Sequence, residues 1–296
     1  MRLRRGIPTE TNGVRRAGTD PNHCPMKRHM IIALSGLTVI ATVTVARSPR
    51  ARYMRGVVAD FLYASLTTHS KPQTASGHPM QYVISPPERA PRAVVIAIDG
   101  SDRDFYGFHA AFVRARRDLP FVLVTPFVLS NGGHPSRSSY PYSDAVFEAA
   151  EADPLQFDTA GVIAIIADIR TRFDATLPVY LTGFSAGAHL AWSFVLTHPD
   201  RLAGAALASA NFAGRGITAE VSSRVRDGVP VRGFVGEADS RFDVLSDQWD
   251  AARSLAVKRG HSDLNRVVVA GAGHSPFARE VLSYFAGLAR VDHSRP

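Results

Sequence analysis

The chain has 296 residues, 45% hydrophobic and 20% charged, which is enough apolar material for one large α/β domain or two small ones. The formal net charge of +8 lies in the first 60 residues, which carry 11 Lys and Arg against three Asp and Glu. The remainder carries 23 residues of each sign, so nucleic-acid binding by it has no electrostatic support. The single cysteine, Cys24, excludes an intrachain disulfide and a thiolate metal cluster.

The N-terminal segment has two parts of different composition. Residues 1–29 are rich in arginine and interrupted by Gly and Pro, and they show no apolar period, so we predict that they are disordered. Residues 30–46 are uncharged and flanked by basic residues on both sides. At about 1.5 Å per residue, this stretch is just long enough to cross a hydrocarbon core as a single membrane anchor.

Two other interpretations of residues 30–46 stay open. The basic flank, the apolar run and the small residues Thr44-Val45-Ala46 also suit a cleaved signal peptide, although the arginines that follow oppose export. The third interpretation is a buried helix of the domain. The two targeting interpretations predict a membrane-anchored or exported protein, located in the cell envelope or outside the cell. We predict a linker over 47–77, a folded domain over 78–290 and a tail over 291–296.

Short apolar runs and helical periods alternate along the folded domain. The predicted strands are 80–85, 93–98, 121–125, 178–181, 203–208, 231–235 and 266–270. The predicted helices are 104–117, 160–173 with a cap at Asp158-Thr159, 186–197, 244–258 and 276–289. This alternation predicts an α/β fold with a mainly parallel sheet and helices on both faces. The gap between 208 and 231 is too short for a large cap domain, and the loop 129–142 is a candidate flap or binding loop.

Chemically useful residues follow several of these strands. Gly183, Ser185 and Gly187 form a Gly-x-Ser-x-Gly sequence between a strand and a helix, which indicates a nucleophile elbow with a strained serine. A serine hydroxyl needs an imidazole to accept its proton, and the imidazole needs a carboxylate to orient it. Asp239 and His274 follow later strands, and functional residues gather at the carboxyl ends of strands in such sheets. Glu237 and Asp243 are the alternatives to Asp239.

On these motifs, residues 78–290 resemble the α/β-hydrolase superfamily, and within it the small lidless esterases akin to feruloyl esterases, polyhydroxybutyrate depolymerases and esterase D. The resemblance implies that Ser185 is the nucleophile, Asp239 the orienting acid and His274 the general base and acid. It also implies an oxyanion hole made by the backbone N–H of Ala186 and a second N–H from the loop after the strand 93–98. In that loop Ser101 takes the donor position.

The loop after the strand 93–98 departs from the family pattern. Asp99 stands where relatives usually have histidine. This departure leaves the backbone N–H of Asp102 as an alternative to that of Ser101 for the second oxyanion donor.

Other histidines and arginines have simpler interpretations. We expect His189 to be a structural or pocket-wall residue, His134 to be exposed, and the Arg114, Arg116 and Arg117 cluster to be a solvated helix end. No His, Asp or Glu arrangement has metal-ligand spacing, and no Gly-rich loop of the phosphate-binding type is present in the sequence, so neither a metal nor a cofactor is expected.

The expected function is cleavage of carboxylic esters through an acyl-enzyme, on a small-molecule or polymeric ester. Peptide or thioester cleavage by the same residues is an alternative. A non-catalytic binding module with the same fold is a second one. Under the anchor interpretation, residues 30–46 would tether either kind of protein to a membrane.

Overall fold

The computed structural model describes residues 71–132, 140–214 and 228–292, which all belong to one compact unit. In these three ranges no helix has the length and apolar character needed to cross a membrane. The predicted disordered segment 1–29 and the hydrophobic segment 30–46 lie outside them, so the anchor and signal-peptide interpretations stay predictions.

Strands and helices alternate through the described residues. The strands are β1 (Gln73–Thr74), β2 (Gln81–Ser85), β3 (Ala93–Ile98), β4 (Phe121–Pro126), β5 (Val179–Phe184), β6 (Gly204–Ala208), β7 (Val231–Gly236) and β8 (Leu264–Val269). The helices are α1 (Phe105–Arg116), α2 (Asp144–Ala152), α3 (Pro154–Arg172), α4 (Ala188–Thr197), α5 (Phe242–Lys258) and α6 (Ala278–Asp292). Short 3₁₀ turns cover Ser185–Gly187 and Pro199–Arg201.

The eight strands form one sheet in the order β1-β2-β4-β3-β5-β6-β7-β8. β1 and β2 pair antiparallel, β2 and β4 pair antiparallel, and every pair from β4 through β8 is parallel. The predicted mainly parallel sheet is therefore confirmed. The sheet begins inside the predicted linker 47–77, because Gln73 of β1 pairs with Tyr82 of β2. The last helix extends to Asp292, past the predicted boundary at residue 290.

Helices cover both faces of the sheet, because successive side chains of a buried strand point to opposite sides. Val94 and Ile96 of β3 join the core layer under α3, α4 and α5, whereas Val95 joins the layer under α1 and α6. In the first layer the rings of Trp192 and Trp249 lie 5.4 Å apart. The continuous apolar sequence of β3 thus reflects burial on both faces, as parallel strands require.

One helix begins earlier than predicted, and one helix has no predicted counterpart. Helix α3 begins at Pro154, with the carboxylate of Asp153 accepting the N–H of Gln156 at 3.0 Å, and not at Asp158-Thr159. Proline at the first helical position after an aspartate cap is a strong start signal, and it places Asp158 inside the helix. Helix α2, which corresponds to no predicted helix, is capped by Ser143.

No cap domain interrupts the described part of the chain. The ranges 133–139 and 215–227 lie outside this description.

Gly233 in β7 tests the packing of the larger core layer. A Cβ at this position would lie 2.6 Å from Cζ3 of the buried Trp249, and an indole ring cannot yield as a flexible side chain does. We expect Gly233→Ala to lower the free energy of unfolding by about 1–3 kcal/mol. Urea unfolding followed by circular dichroism measures this change.

Gly287→Ala is the matched control for this substitution. Gly287 is exposed in α6, and a Cβ there meets no atom within 4 Å. Helix propensity predicts a neutral or stabilising effect of at most about 1 kcal/mol. Equal stabilities of the two variants would contradict the described packing of Trp249.

Candidate active site

The turn after β5 places Ser185 at the carboxyl edge of the sheet. Ser185 has φ 50, a left-handed backbone conformation that is rare for residues with a side chain. A Cβ on Gly187 would lie 2.1 Å from the carbonyl oxygen of Asp99, and one on Gly183 would lie 2.7 Å from Cα of Ala188. Close contacts therefore require glycine at the positions two residues before and two residues after Ser185. The elbow packs directly against the end of β3.

Ser185, His274 and Asp239 lie in one hydrogen-bonded row. Nε2 of His274 lies 2.9 Å from Oγ of Ser185, and Nδ1 of His274 lies 2.8 Å from Oδ2 of Asp239. Ser185 is 5% exposed, the Asp239 side chain is fully buried, and the His274 side chain is 31% exposed. An imidazole in this position can accept the serine proton while the carboxylate fixes its tautomer.

The loop after β7 holds the loop after β8, which carries His274. The N–H of Ala238 donates to the carbonyl of Ala272 at 2.8 Å. Oδ1 of Asp239 accepts the N–H of Arg241 at 2.9 Å, which orients the carboxylate toward His274. Because β7 and β8 are parallel neighbours, their carboxyl ends bring these loops together without a long connection.

The alternatives to Asp239 lie elsewhere. Oε2 of Glu237 accepts the N–H of Gly271 at 2.9 Å and so braces the His274 loop from outside. Asp243 is exposed in the first turn of α5. Of the three carboxylates considered, Asp239 is the one that the structure joins to His274.

The loop after β3 approaches the elbow closely. A Cβ on Gly100 would lie 3.3 Å from Cβ of Ser185 and 3.1 Å from Cδ1 of Phe184. The N–H of Gly100 donates to Oδ1 of Asp99 at 2.7 Å and is therefore occupied. Ser101 and Asp102, the predicted candidates for the second oxyanion donor, follow in an exposed turn beside the elbow.

Asp99 is a buried acid at this point. It is 3% exposed, and burial raises its pKa from 3.8 to about 7, with a smaller contribution from the negative charges of Asp104 and Asp102. The hydrogen bond from Gly100 opposes this shift. Oδ2 of Asp99 has no hydrogen-bond partner among the described residues.

A cavity of about 930 Å³ lies between the His274 loop, α1 and the start of α6. Its walls include the aromatic rings of Phe108, Phe184 and Phe277. Charged side chains at the helix surfaces also line it, among them Arg114, Arg117 and Arg279. Arg114 and Arg117 of the predicted arginine cluster thus border the cavity. Arg116, the third member, donates instead to the carbonyls of Ser85 and Phe121 at 2.7 and 3.1 Å. Phe184 lies with its ring 5.0 Å from that of His274.

The remaining predicted residues are peripheral or outside the description. Nδ1 of His189 accepts the N–H of Ala213 at 3.4 Å, which suits a wall residue, and His134 lies outside the described residues. In the described ranges no group of three His, Cys, Asp or Glu side chains could hold a metal ion. Asn131 and Arg103 join the loops after β3 and β4, and Asp158 of α3 holds the loop after β4. No short motif marks these roles in the sequence.

Comparison with solved structures identifies the fold. Similar chains include a carboxylesterase from Mesorhizobium loti (TM-score 0.52, 18% identity, 73% of this chain and 99% of that one). The esterase PE8 (0.51, 21%, 72% and 98%) and a poly(3-hydroxybutyrate) depolymerase from Bordetella parapertussis (0.50, 18%, 77% and 97%) are similar too. No protein-family model and no curated protein matched the chain. The described domain therefore has the α/β-hydrolase fold, and at these identities the likeness concerns the fold alone.

The raised pKa of Asp99 gives a pH-dependent stability. A carboxyl whose pKa rises from 3.8 to about 7 on folding stabilises the fold below pH 4, and this contribution is lost as the pH rises through 7. Asp99→Asn removes this titration and keeps an acceptor for Gly100. We expect the stability of this variant, relative to the unaltered protein, to increase by about 3 kcal/mol between pH 5 and pH 8.

Urea unfolding at both pH values measures this difference. Asp158, whose pKa burial also raises to about 7, titrates in both proteins and cancels in the comparison. Asp118→Asn, at an exposed position after α1, is the control and should show no such trend. A stability difference that does not change with pH would show that the buried Asp99 carboxyl is not protonated in this range.

Proposed function

We propose that this chain is a serine hydrolase that cleaves carboxylic esters through an acyl-enzyme intermediate. The observation that carries the proposal is the row of hydrogen bonds from Asp239 through His274 to Ser185, at 2.8 and 2.9 Å. These hydrogen bonds to a buried serine in a strained turn have no evident role in stabilising the fold. The aligned row favours catalysis over the alternative of a non-catalytic binding module.

The reaction follows from the positions of these groups. Nε2 of His274 accepts the proton of Ser185 while Oγ attacks the ester carbonyl, and Asp239 stabilises the resulting imidazolium. The backbone N–H groups of Ala186 and Ser101 would stabilise the oxyanion. The alcohol then leaves with the proton from His274, and a water molecule repeats the sequence to release the acid.

Two features favour esters as substrates. The site opens beside a cavity of about 930 Å³ with no cap domain in the described ranges, so small esters and exposed segments of polymeric esters can reach Ser185. The similar structures include proteins named carboxylesterase, esterase and poly(3-hydroxybutyrate) depolymerase. Peptides and thioesters are the competing substrates, since the same groups can attack any acyl carbon.

The first experiment tests the nucleophile. Full-length protein is treated with a fluorophosphonate probe and assayed with p-nitrophenyl acetate. Because the hydroxyl of Ser185 is the one bonded to Nε2 of His274, we expect Ser185→Ala to abolish labelling and to lower kcat by at least about 10⁴-fold. Labelling or turnover equal to that of the unaltered protein would contradict the proposal.

A matched pair of variants tests the acid. We expect Asp239→Asn to lower kcat by about 10⁴-fold, because the amide stabilises the wrong tautomer of His274. Glu237→Gln, two residues away, should change kcat by less than about tenfold because its carboxylate holds only a backbone N–H. A larger loss in Glu237→Gln than in Asp239→Asn would assign the acid to Glu237 instead.

We further propose that residues 30–46 direct this activity to the cell envelope, as an anchor or a cleaved signal. Fractionation of cells that express the full-length chain tests this assignment. We expect the activity in the membrane or exported fraction, since an apolar stretch of this length partitions into a bilayer. A soluble cytoplasmic pool with residues 1–50 intact would contradict it.

A further inference from the structure

We propose that Asn131 is a positioning residue that aims the second oxyanion donor, the backbone N–H of Ser101. The inference rests on the proposed function and concerns how its oxyanion hole is held. Asn131 follows β4, and its side-chain Nδ2 donates to the carbonyl of Gly100 at 2.7 Å and approaches that of Asp99 at 3.5 Å. The residue is completely buried.

The orientation of the Asn131 amide has one chemically sensible solution. A backbone carbonyl only accepts hydrogen bonds, so the NH₂ group and not the oxygen must face Gly100. Oδ1 of Asn131 then has no donor among the described residues. An unpartnered buried oxygen costs about 1–3 kcal/mol, so the amide is a poor choice for stability alone and suits a role in the site.

Holding the Gly100 carbonyl also orients the next N–H group. A trans peptide is planar, so the carbonyl of Gly100 and the N–H of Ser101 point in opposite directions. With the carbonyl turned toward Asn131, the Ser101 N–H points away from it, on a loop so close to the elbow that a Cβ on Gly100 would lie 3.3 Å from Cβ of Ser185. Neither Ser101 nor Asp102 uses its backbone N–H in a hydrogen bond with another described residue, whereas Gly100 does.

The segment that carries Asn131 is itself held by hydrogen bonds to helix α3. The carboxylate of Asp158, fully buried in α3, accepts the N–H of Leu129 at 2.9 Å and the N–H of Ser130 at 2.6 Å. Two consecutive N–H groups held by one carboxylate fix the backbone immediately before Asn131. The position of its amide is therefore set by a long-range contact and not by the loop alone.

Arg103 makes a second connection between the loops after β3 and β4, on the other side of Asn131. The guanidinium of Arg103 donates to the carbonyl of Gly132, to Oη of Tyr140 at 2.8 Å and to the carbonyl of Ser101 at 3.3 Å. The contact with Ser101 orients the following peptide as well. A Cβ on Gly132 would lie 3.2 Å from Cβ of Ala186, so both proposed oxyanion donors border this pair of loops.

The test replaces the donor while keeping its shape. Asn131→Asp puts a carboxylate oxygen against the Gly100 carbonyl, which rotates the peptide away. We expect kcat for p-nitrophenyl acetate to fall by about 10- to 100-fold with KM changed by less than about threefold, because the oxyanion forms only after substrate binds. Expressing kcat per Ser185 labelled at saturation by the fluorophosphonate probe removes any effect of misfolded protein. Asn265→Asp, exposed on β8, is the matched control and should keep full kcat.

A pH profile adds a readout that a merely structural role would not move. The introduced carboxyl regains a donor when it is protonated, so the kcat of Asn131→Asp relative to the unaltered protein should rise as the pH falls. The groups around it are Asp99 from the β3 loop, Asp158 from α3 and the Arg103 guanidinium. All three are present in both proteins, so the ratio isolates the new carboxyl.

The outcomes separate this inference from the proposed function. Turnover that depends on Ser185 but is unchanged in Asn131→Asp would overturn the positioning role and leave the hydrolase intact. A kcat ratio that does not vary with pH would also overturn it. An unaltered protein that neither labels at Ser185 nor turns over ester would overturn both. If Asn131→Asp does not fold, Asn131→Ala replaces it, with the same loss of kcat per labelled site expected and an unchanged kcat overturning the inference.

Discussion

The site depends on how closely the elbow packs against the end of β3. The carbonyl of Asp99 occupies the space that a side chain on Gly187 would need, at 2.1 Å from its Cβ position. This contact leaves no room to relax the turn, so Ser185 keeps φ 50 and its side chain faces His274. Strain of about 1–3 kcal/mol persists only where the surroundings determine the backbone, and here two neighbouring parallel strands do so. The proposed nucleophile and the proposed oxyanion loop therefore share one constraint.

The order of strands in the sheet supplies the second requirement. β5 lies between β3 and β6, and β7 and β8 follow as parallel neighbours, so all the loops that carry the site leave the same edge. Asp239 and His274 thereby come from adjacent strands, and the Ala238 to Ala272 hydrogen bond holds their loops in register. Each of these side chains therefore gains its position from the strand before it.

The features that the sequence predicts correctly are those that depend on local patterns. Continuous apolar runs gave the parallel strands, and small residues beside Ser185 gave the elbow, because both have a steric cause within a few residues. Asp158 was misplaced for the opposite reason. Its carboxylate accepts N–H groups of Leu129 and Ser130 about 30 residues earlier, and no period or spacing reports such a contact. Asn131 was overlooked in the same way, as an unremarkable residue of a loop.

Apolar packing and directional hydrogen bonds contribute different things to this site. The sheet and its two core layers locate backbone atoms, but an apolar contact is indifferent to how a peptide plane is rotated. An oxyanion donor must point in one direction, and a hydrogen bond to the same peptide can impose that direction. The buried polar groups Asp99 and Asn131 lie on the loops where such rotation matters, and Asp158 of α3 holds the second of these loops. Burial raises the pKa of both acids to about 7, so each destabilises the fold at neutral pH. This destabilisation occurs at the loops where the proposed chemistry needs a fixed peptide orientation. The apolar packing in the rest of the core offsets it.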